Sequence, residues 1–318
     1  MAYPSLISAA TAGSVLDVLG GVRPARSAER LLNPGVFQPS VRLALHACPQ
    51  PLRYEVATRW EERRQAEVTR TIVQKQLTLS SITHGPHLLT TWATAPPRLR
   101  KPDLLALEEI VLLLAGLYQR LVVELSTAGE FLALANHAEV VEAWAVIEQE
   151  LLQRYGEEEE LIAALRAAVE AQVQEPALLL SSLRHDYAYR LLVANLYQQR
   201  FESGLGYTQP QSFPHFLAGT ALHFHERLEL GAPAGPGRAT LLVSGRLDEQ
   251  RTDRAAVALA LAGPAAGPPP DPAALTFAYR ARYDLDAATG WPVAVAATIT
   301  CQSPAGYAKE YDLTIQQV

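Results

Sequence analysis

The stretch Leu52-Arg-Tyr-Glu-Val-Ala-Thr-Arg-Trp-Glu61 decides the fold class of this chain. Its even-numbered residues are mostly apolar and its odd-numbered residues are mostly charged. Because side chains alternate between the two faces of a β-strand, this pattern predicts an antiparallel strand with one covered face and one face in water. The covered face requires partners from elsewhere in the chain.

Further strands are predicted on both sides of this stretch. A polar turn at 61–65 leads into a β-branched and threonine-rich run at 68–82, which predicts a hairpin partner, and another strand is predicted at 87–94. Beyond residue 213 the predicted strands are 216–230, 239–247, 255–262, 275–285, 293–301 and 307–316. A Pro, Ala and Gly-rich segment, 263–274, is expected to be a surface loop.

The centre of the chain, 102–205, is predicted to be mainly helical. Residues 104–118 are apolar almost all round, which indicates a helix that is buried or covered by a partner. Two short apolar runs around Gly129 predict a β-hairpin at 121–135.

Three more helices are expected after this hairpin. Asn136 and Glu139 have the spacing of a capping box, and Gly156 is placed to end the helix that they begin. Residues 157–160 are expected to open the next helix, and Pro176 to begin a helix that runs to about residue 201.

Together these elements predict an α+β fold in a single domain, residues 1–318. An antiparallel sheet, curved like a half-barrel, is expected from the N-terminal strands at 41–95 and the C-terminal strands at 213–318. The mainly helical region 102–205, with its hairpin, is inserted between them. Residues 1–40 are expected to form an arm or helix, and two separate layers are the alternative topology.

Charge and hydropathy narrow the classes of function and location. The formal net charge of −6 and the absence of a basic stripe argue against a nucleic-acid partner. Lysine occurs only at positions 75, 101 and 309, which we attribute to a compositional bias toward arginine. No run reaches the ~18 apolar residues of a membrane span. The first basic residue is Arg23, which argues against a secretory signal and favours the cytoplasm.

The two cysteines, Cys48 and Cys301, lie near opposite ends of the chain in apolar surroundings. Such positions are typical of buried free thiols. A disulfide remains the alternative, since it depends on a Cα separation below about 7 Å that the sequence does not give.

The best candidate for chemistry is the segment 219–229. On a strand, His223, His225 and Glu229 share one face, and imidazole and carboxylate ligands suit a divalent transition metal. These residues resemble the first metal-binding motif of the cupins, a glycine followed by His-x-His and a glutamate. The resemblance implies a jelly-roll barrel with these three residues as ligands. It departs in the spacing from Gly219, and no histidine follows residue 229. The other interpretation is a solvated polar face.

Another pair, His185 and Asp186, is adjacent in a predicted helix, where neighbouring side chains point to different faces and do not form an acid–base pair.

Three functions are consistent with these patterns. The leading hypothesis is a non-enzymatic protein that binds a hydrophobic small molecule or a protein partner through the covered face of the sheet and the apolar helices, without a cofactor. The first alternative is a metal-dependent enzyme that uses His223, His225 and Glu229. The second is a structural subunit of a larger assembly. The sequence does not give the oligomeric state.

Overall fold

The computed structural model describes residues 40–99, 106–156, 160–193, 196–217, 219–263 and 269–318. Most of the predicted N-terminal arm lies outside these residues. The strands are β1 (Ser40–Arg42), β2 (Leu52–Arg64), β3 (Glu67–His84), β4 (His87–Thr94), β5 (Arg98–Leu99), β6 (Arg120–Leu125), β7 (Phe131–Leu134), β8 (Arg200–Glu202), β9 (Gly206–Leu217), β10 (Thr220–Leu230), β11 (Arg238–Leu247), β12 (Thr276–Asp286), β13 (Pro292–Ser303) and β14 (Tyr307–Gln317). The α-helices are α1 (Ala106–Leu114), α2 (His137–Tyr155), α3 (Glu160–Gln174), α4 (Pro176–His185), α5 (Tyr187–Leu192) and α6 (Arg254–Ala262), with 3-10 helices at Ala115–Tyr118 and Pro272–Ala274.

One antiparallel sheet of 12 strands dominates the fold. Its order is β7-β6-β4-β3-β2-β14-β13-β12-β11-β10-β9, with β5 added on β3. Early and late strands meet where β2 pairs with β14, which places Trp60 opposite Tyr311. The coarse prediction, an antiparallel sheet combined with helices, is confirmed. Consecutive strands are neighbours along most of this path, so the jelly-roll order that the cupin resemblance implies is wrong.

The amphipathic pattern of β2 is confirmed by its burial. Tyr54 and Val56 are buried, while Arg53 and Glu55 on the opposite face are exposed. We call the face that carries Tyr54 and Val56 the inner face of the sheet. Helix α5 packs against the inner face, where its Tyr189 stacks on Trp92 of β4 at a ring-centroid distance of 4.8 Å.

Residues 255–262, predicted as a strand, form helix α6 instead. Alternating Val, Ala and Leu also suit a helix, because alanine has the highest helix propensity. The decisive local signal is Asp253, whose carboxylate accepts hydrogen bonds from the backbone N–H groups of Ala255 and Ala256 as an N-cap. Gly263 ends the helix with a φ of +71°.

The helix predicted from Pro176 to about residue 201 is also wrong in extent. It ends at His185, and Asp186 starts a new helix, α5, by accepting hydrogen bonds from Ala188 N and Tyr189 N. The chain then turns and enters β8. The strand predicted at 216–230 is divided in the structure: residues 216 and 217 end β9, which begins at Gly206, and β10 begins at Thr220.

The hairpin at 121–135 is confirmed as β6 and β7, with Gly129 in the turn at a φ of +83°. Helix α2 begins after Asn136 and ends at Gly156 as predicted, but the capping box is wrong. Asn136 Oδ1 accepts a hydrogen bond from Val122 N (2.7 Å), and its Nδ2 donates to Arg120 O (3.1 Å). The side chain therefore ties the start of α2 to the sheet. Of the residues predicted to open the next helix, 157–159 lie outside the described part of the chain.

Both cysteines are free thiols, as predicted, although Cys48 is only half-buried and follows β1 outside any strand. Cys301 is fully buried in β13, and this burial raises the pKa of its thiol to about 12. No helix in the described part of the chain is long and apolar enough to cross a membrane.

Candidate functional site

A cavity of about 1020 Å³ lies between the sheet and the helices. Its sheet side is formed by the inner faces of β2, β3 and β14, and its helix side by α1, α3 and α6. We call it the inner cavity. Its position follows from the one-sided strands, because their apolar faces are covered by helices along only part of their length.

Apolar side chains from both layers form the walls of the inner cavity. The sheet contributes Trp60, Val73 and Tyr311, and the helices contribute Ile110, Leu114, Leu165 and Val169. The aromatic wall is tightly packed, since Trp60 meets Tyr311 edge to face at a centroid distance of 5.3 Å. Helix α1, predicted from its all-round apolar sequence to be covered, supplies part of this wall.

One end of the inner cavity is polar and is formed where α5 begins. There Lys75 of β3 places Nζ 4.6 Å from the ring centroid of Tyr189 and 4.0 Å from Asp186 Oδ2. Burial alone would lower the pKa of Lys75, but Asp186 and Tyr189 together outweigh it, so the pKa lies above its ordinary value of 10.5. Lys75 is therefore a charged ammonium at neutral pH.

Hydroxyl and amide groups surround this polar end. Thr94 Oγ1 lies 3.2 Å from the Tyr189 hydroxyl oxygen. Gln172 Nε2 donates to Ser182 Oγ at 2.6 Å and to the Tyr118 hydroxyl at 3.4 Å. Burial raises the pKa of Tyr118, so its hydroxyl stays protonated and can donate a hydrogen bond.

A second charged group lies at the other end of the inner cavity. Lys309 Nζ is 2.6 Å from Glu62 Oε1, and Arg64 approaches the other oxygen of Glu62 at 3.4 Å. Glu62 lies six residues along β2 from Val56, which pairs with Lys75. The two lysines are therefore about 20 Å apart along the strands.

Two of the three lysines of the chain thus line one cavity, and the third lies outside the described residues. Neither lysine was predicted as a site residue, because the scarcity of lysine was attributed to a compositional bias toward arginine. A signal was present in the strand pattern. Lys75 alternates in phase with Val73 and Leu77, and Lys309 alternates in phase with Tyr311. The strand pattern therefore puts both lysines on the covered face.

A separate buried polar group, which we call the Glu226 cluster, anchors α5 to the far part of the sheet. Glu226 of β10 is only 4% exposed and accepts a hydrogen bond from Gln209 Nε2. Arg190 of α5 donates to Gln211 Oε1 and Ser212 O on β9. Burial raises the pKa of Glu226, against the opposing effects of Gln209 and Arg190.

The Glu226 cluster was also missed, although its signal was in the sequence. Leu222, Phe224, Leu228 and Leu230 alternate with the histidines along β10 and share its apolar face, and Glu226 stands in the same phase. A charged residue within an apolar face predicts a buried partner.

The predicted metal ligands lie on the other, outer face of β10. His225 Nε2 is 3.3 Å from Asp248 Oδ2, and Glu229 pairs with Arg227 at 2.7 Å. His225 and Glu229 are about 13 Å apart along the strand. His223 is half-buried beside them, and its backbone N–H donates to Thr252 Oγ1. Within the described residues, no three His, Cys, Asp or Glu side chains form a group suited to a metal ion. The metal site stays a prediction.

Comparison with known proteins gives little to place beside this geometry. No protein-family model matches the chain, and no curated protein matches it. Among solved structures it is similar to one described as "Lipid-protein interactions in lipovitellin", with a TM-score of 0.39 and 9% sequence identity. The match covers 85% of this chain but only 25% of that chain.

Proposed function

We propose that the protein binds a hydrophobic small molecule in the inner cavity. The observation that carries this proposal is the cavity itself, about 1020 Å³ between two layers and walled mainly by apolar side chains. Ligand cavities in proteins typically measure about 300–1,000 Å³ and combine apolar walls with a few placed polar groups. The inner cavity matches that description, because its walls are apolar and polar groups converge at one end.

We also infer that the sheet curves around α5 like a half-barrel. Strands β4 and β9 are eight positions apart in the sheet order, which in a flat sheet is about 38 Å. Helix α5 has six residues and is about 9 Å long. Nevertheless, its Tyr189 stacks on Trp92 of β4 and its Tyr187 meets Phe213 of β9 at a centroid distance of 5.4 Å. Contacts to both strands from one short helix support a curved sheet that encloses space.

The test of binding uses a matched pair of variants on β3. Thr71 lines the inner cavity, whereas Ile72 points to the opposite face of the same strand. Delipidated protein is titrated with the apolar fluorophore Nile red. Thr71→Trp should fill the cavity and remove most of the saturable fluorescence, while Ile72→Trp should leave it unchanged.

Native mass spectrometry of freshly purified protein, followed by organic extraction, identifies any ligand that copurifies. If both tryptophan variants reduce saturable Nile red binding equally, or if neither reduces it, the dye binds outside the inner cavity. No saturable binding, together with no copurifying small molecule, would overturn the proposal.

A further inference from the structure

We propose that the ligand of the inner cavity is an amphiphile with an anionic head group, a carboxylate in the simplest case, and that Lys75 binds this head group. This inference rests on the proposed function and adds the class of ligand and its orientation. The apolar tail would then run along Trp60, Val73 and Leu114 toward the end of the cavity at Lys309.

The first support is the hydrogen-bonding state of Lys75. Within the described residues its Nζ makes no hydrogen bond, and the one carboxylate near it, Asp186, is 4.0 Å away. That separation exceeds hydrogen-bond length. The other oxygen of Asp186 is engaged in capping α5 through Ala188 N and Tyr189 N. The Lys75 side chain is 19% exposed and lines the cavity, so its three N–H donors can reach an acceptor oxygen on a bound ligand.

The surroundings of Lys75 suit a carboxylate better than a neutral head group. The Tyr118 hydroxyl, which accepts a hydrogen bond from Gln172 Nε2, also lines this end of the cavity and can donate its own O–H to a second oxygen. Hydrogen bonds between charged groups are roughly twice as strong as neutral ones. A carboxylate therefore gains more here than an alcohol with the same tail.

The other lysine end is less suited to a head group. Lys309 is 4% exposed and is already in direct contact with Glu62 at 2.6 Å, so an entering anion would compete with a formed ion pair. The separation of about 20 Å between the two ends is of the order of an extended sixteen-carbon chain.

Palmitate and hexadecanol test this inference, because they share one tail and differ in the head group. Both are titrated into delipidated protein by displacement of Nile red. The wild type should bind palmitate about 10- to 100-fold more tightly than hexadecanol, the range expected for one charged hydrogen-bonding contact. Lys75→Met should abolish this preference, because it should weaken the binding of palmitate far more than the binding of hexadecanol. The control Lys309→Met, at the other end, should retain the preference.

A second variant keeps the test decisive if Lys75→Met does not fold. Asp186→Asn preserves a capping side chain for α5 but removes the negative charge near Lys75. Palmitate should then bind roughly tenfold more tightly, because a like charge is lost beside its carboxylate, while hexadecanol is unaffected. A purely structural role for Asp186 would not separate the two ligands.

The outcomes separate the two proposals. Equal affinity of the wild type for palmitate and hexadecanol would overturn the anionic head group and leave the hydrophobic cavity intact. Loss of the preference in Lys309→Met and not in Lys75→Met would overturn the assignment of Lys75. Binding of neither compound would count against the proposed function itself.

Discussion

Replacing Arg190 by methionine tests whether the Glu226 cluster holds α5 in place. The substitution removes the guanidinium that donates to Gln211 Oε1 and Ser212 O. It leaves Glu226, 4% exposed, without the cation that offsets its negative charge. Methionine keeps a similar length and an apolar stem, so packing against Phe213 is largely retained.

The expected loss in the free energy of unfolding is about 3–5 kcal/mol, the range observed when one partner of a buried charged pair is removed. At the low end of their usual strength, roughly 1.5 kcal/mol each, the two hydrogen bonds from the charged donor account for about 3 kcal/mol of this loss. The remainder is the cost of a buried carboxylate that has lost its counter-charge, which is felt only when Glu226 is ionised.

The pH dependence follows from the pKa of Glu226, which burial raises above its ordinary value of 4.5. Between 4.5 and the raised value, the folded protein binds a proton that the unfolded chain has released. Stability therefore falls as the pH rises through this window. Without Arg190 the pKa rises further, so the cost of Arg190→Met should be larger at pH 8 than at pH 5. Glu226→Gln should remove this contribution to the slope.

Urea denaturation at the two pH values, monitored by tryptophan fluorescence, measures these differences. The control is Arg166→Met, which breaks an ion pair between α3 and α2 with Glu148. Both side chains of this pair remain partly in contact with solvent, 30% and 25% exposed, so its loss should cost about 1 kcal/mol or less at either pH. A loss below about 1 kcal/mol for Arg190→Met, or a cost that does not change with pH, would refute the role assigned to this cluster.

Three further outcomes are expected. Gly129→Ala should cost about 1–3 kcal/mol more than Gly85→Ala in thermal or urea unfolding; both glycines have positive φ, but only at Gly129 would a Cβ meet Tyr197, at 2.8 Å. Asn136→Ala should cost about 1–3 kcal/mol, because it leaves a buried backbone N–H without its acceptor; equal stability would show that this contact is dispensable. If β10 holds a metal, tag-free protein should contain a stoichiometric transition metal by elemental analysis that His223→Ala removes, and metal-free protein would contradict that prediction.

The sheet was largely predictable because its strands are one-sided over many residues. In β2 and in the strands after residue 275, apolar and polar side chains alternate over ten or more residues. A pattern of that length identifies a strand even where single residues have a low β-propensity. Residues 255–262 were wrongly predicted as a strand, because a short run of Val, Ala and Leu fits the period of two of a strand and the period of 3.6 of a helix equally well. There Asp253 was the better guide, because a capping carboxylate distinguishes a helix from a strand.

The candidate site was predictable only in part. An apolar covered face was expected from the sequence, but the cavity depends on how far the helices extend over it, which strand patterns do not encode. Asp186 illustrates the same limit. From the sequence, Asp186 was considered only as a partner of His185, and that pair was rejected. The structural role of Asp186 depends on the break between α4 and α5 and on its distance from Lys75 across the cavity.

Helix α5 connects the two polar groups, and this gives the inner cavity a consequence for stability. Its N-cap, Asp186, and its first-turn residue Tyr189 lie at the proposed head-group site, and the next residue, Arg190, reaches the Glu226 cluster. A ligand bound at Lys75 stabilises the folded state in proportion to the logarithm of its concentration. Loosening α5 should therefore weaken palmitate binding together with stability. Arg190→Met is expected to lower both the affinity and the ligand-induced rise in melting temperature, whereas Arg166→Met, remote from α5, should lower neither. A loss of stability in Arg190→Met with unchanged affinity would show that the cavity and the cluster are independent.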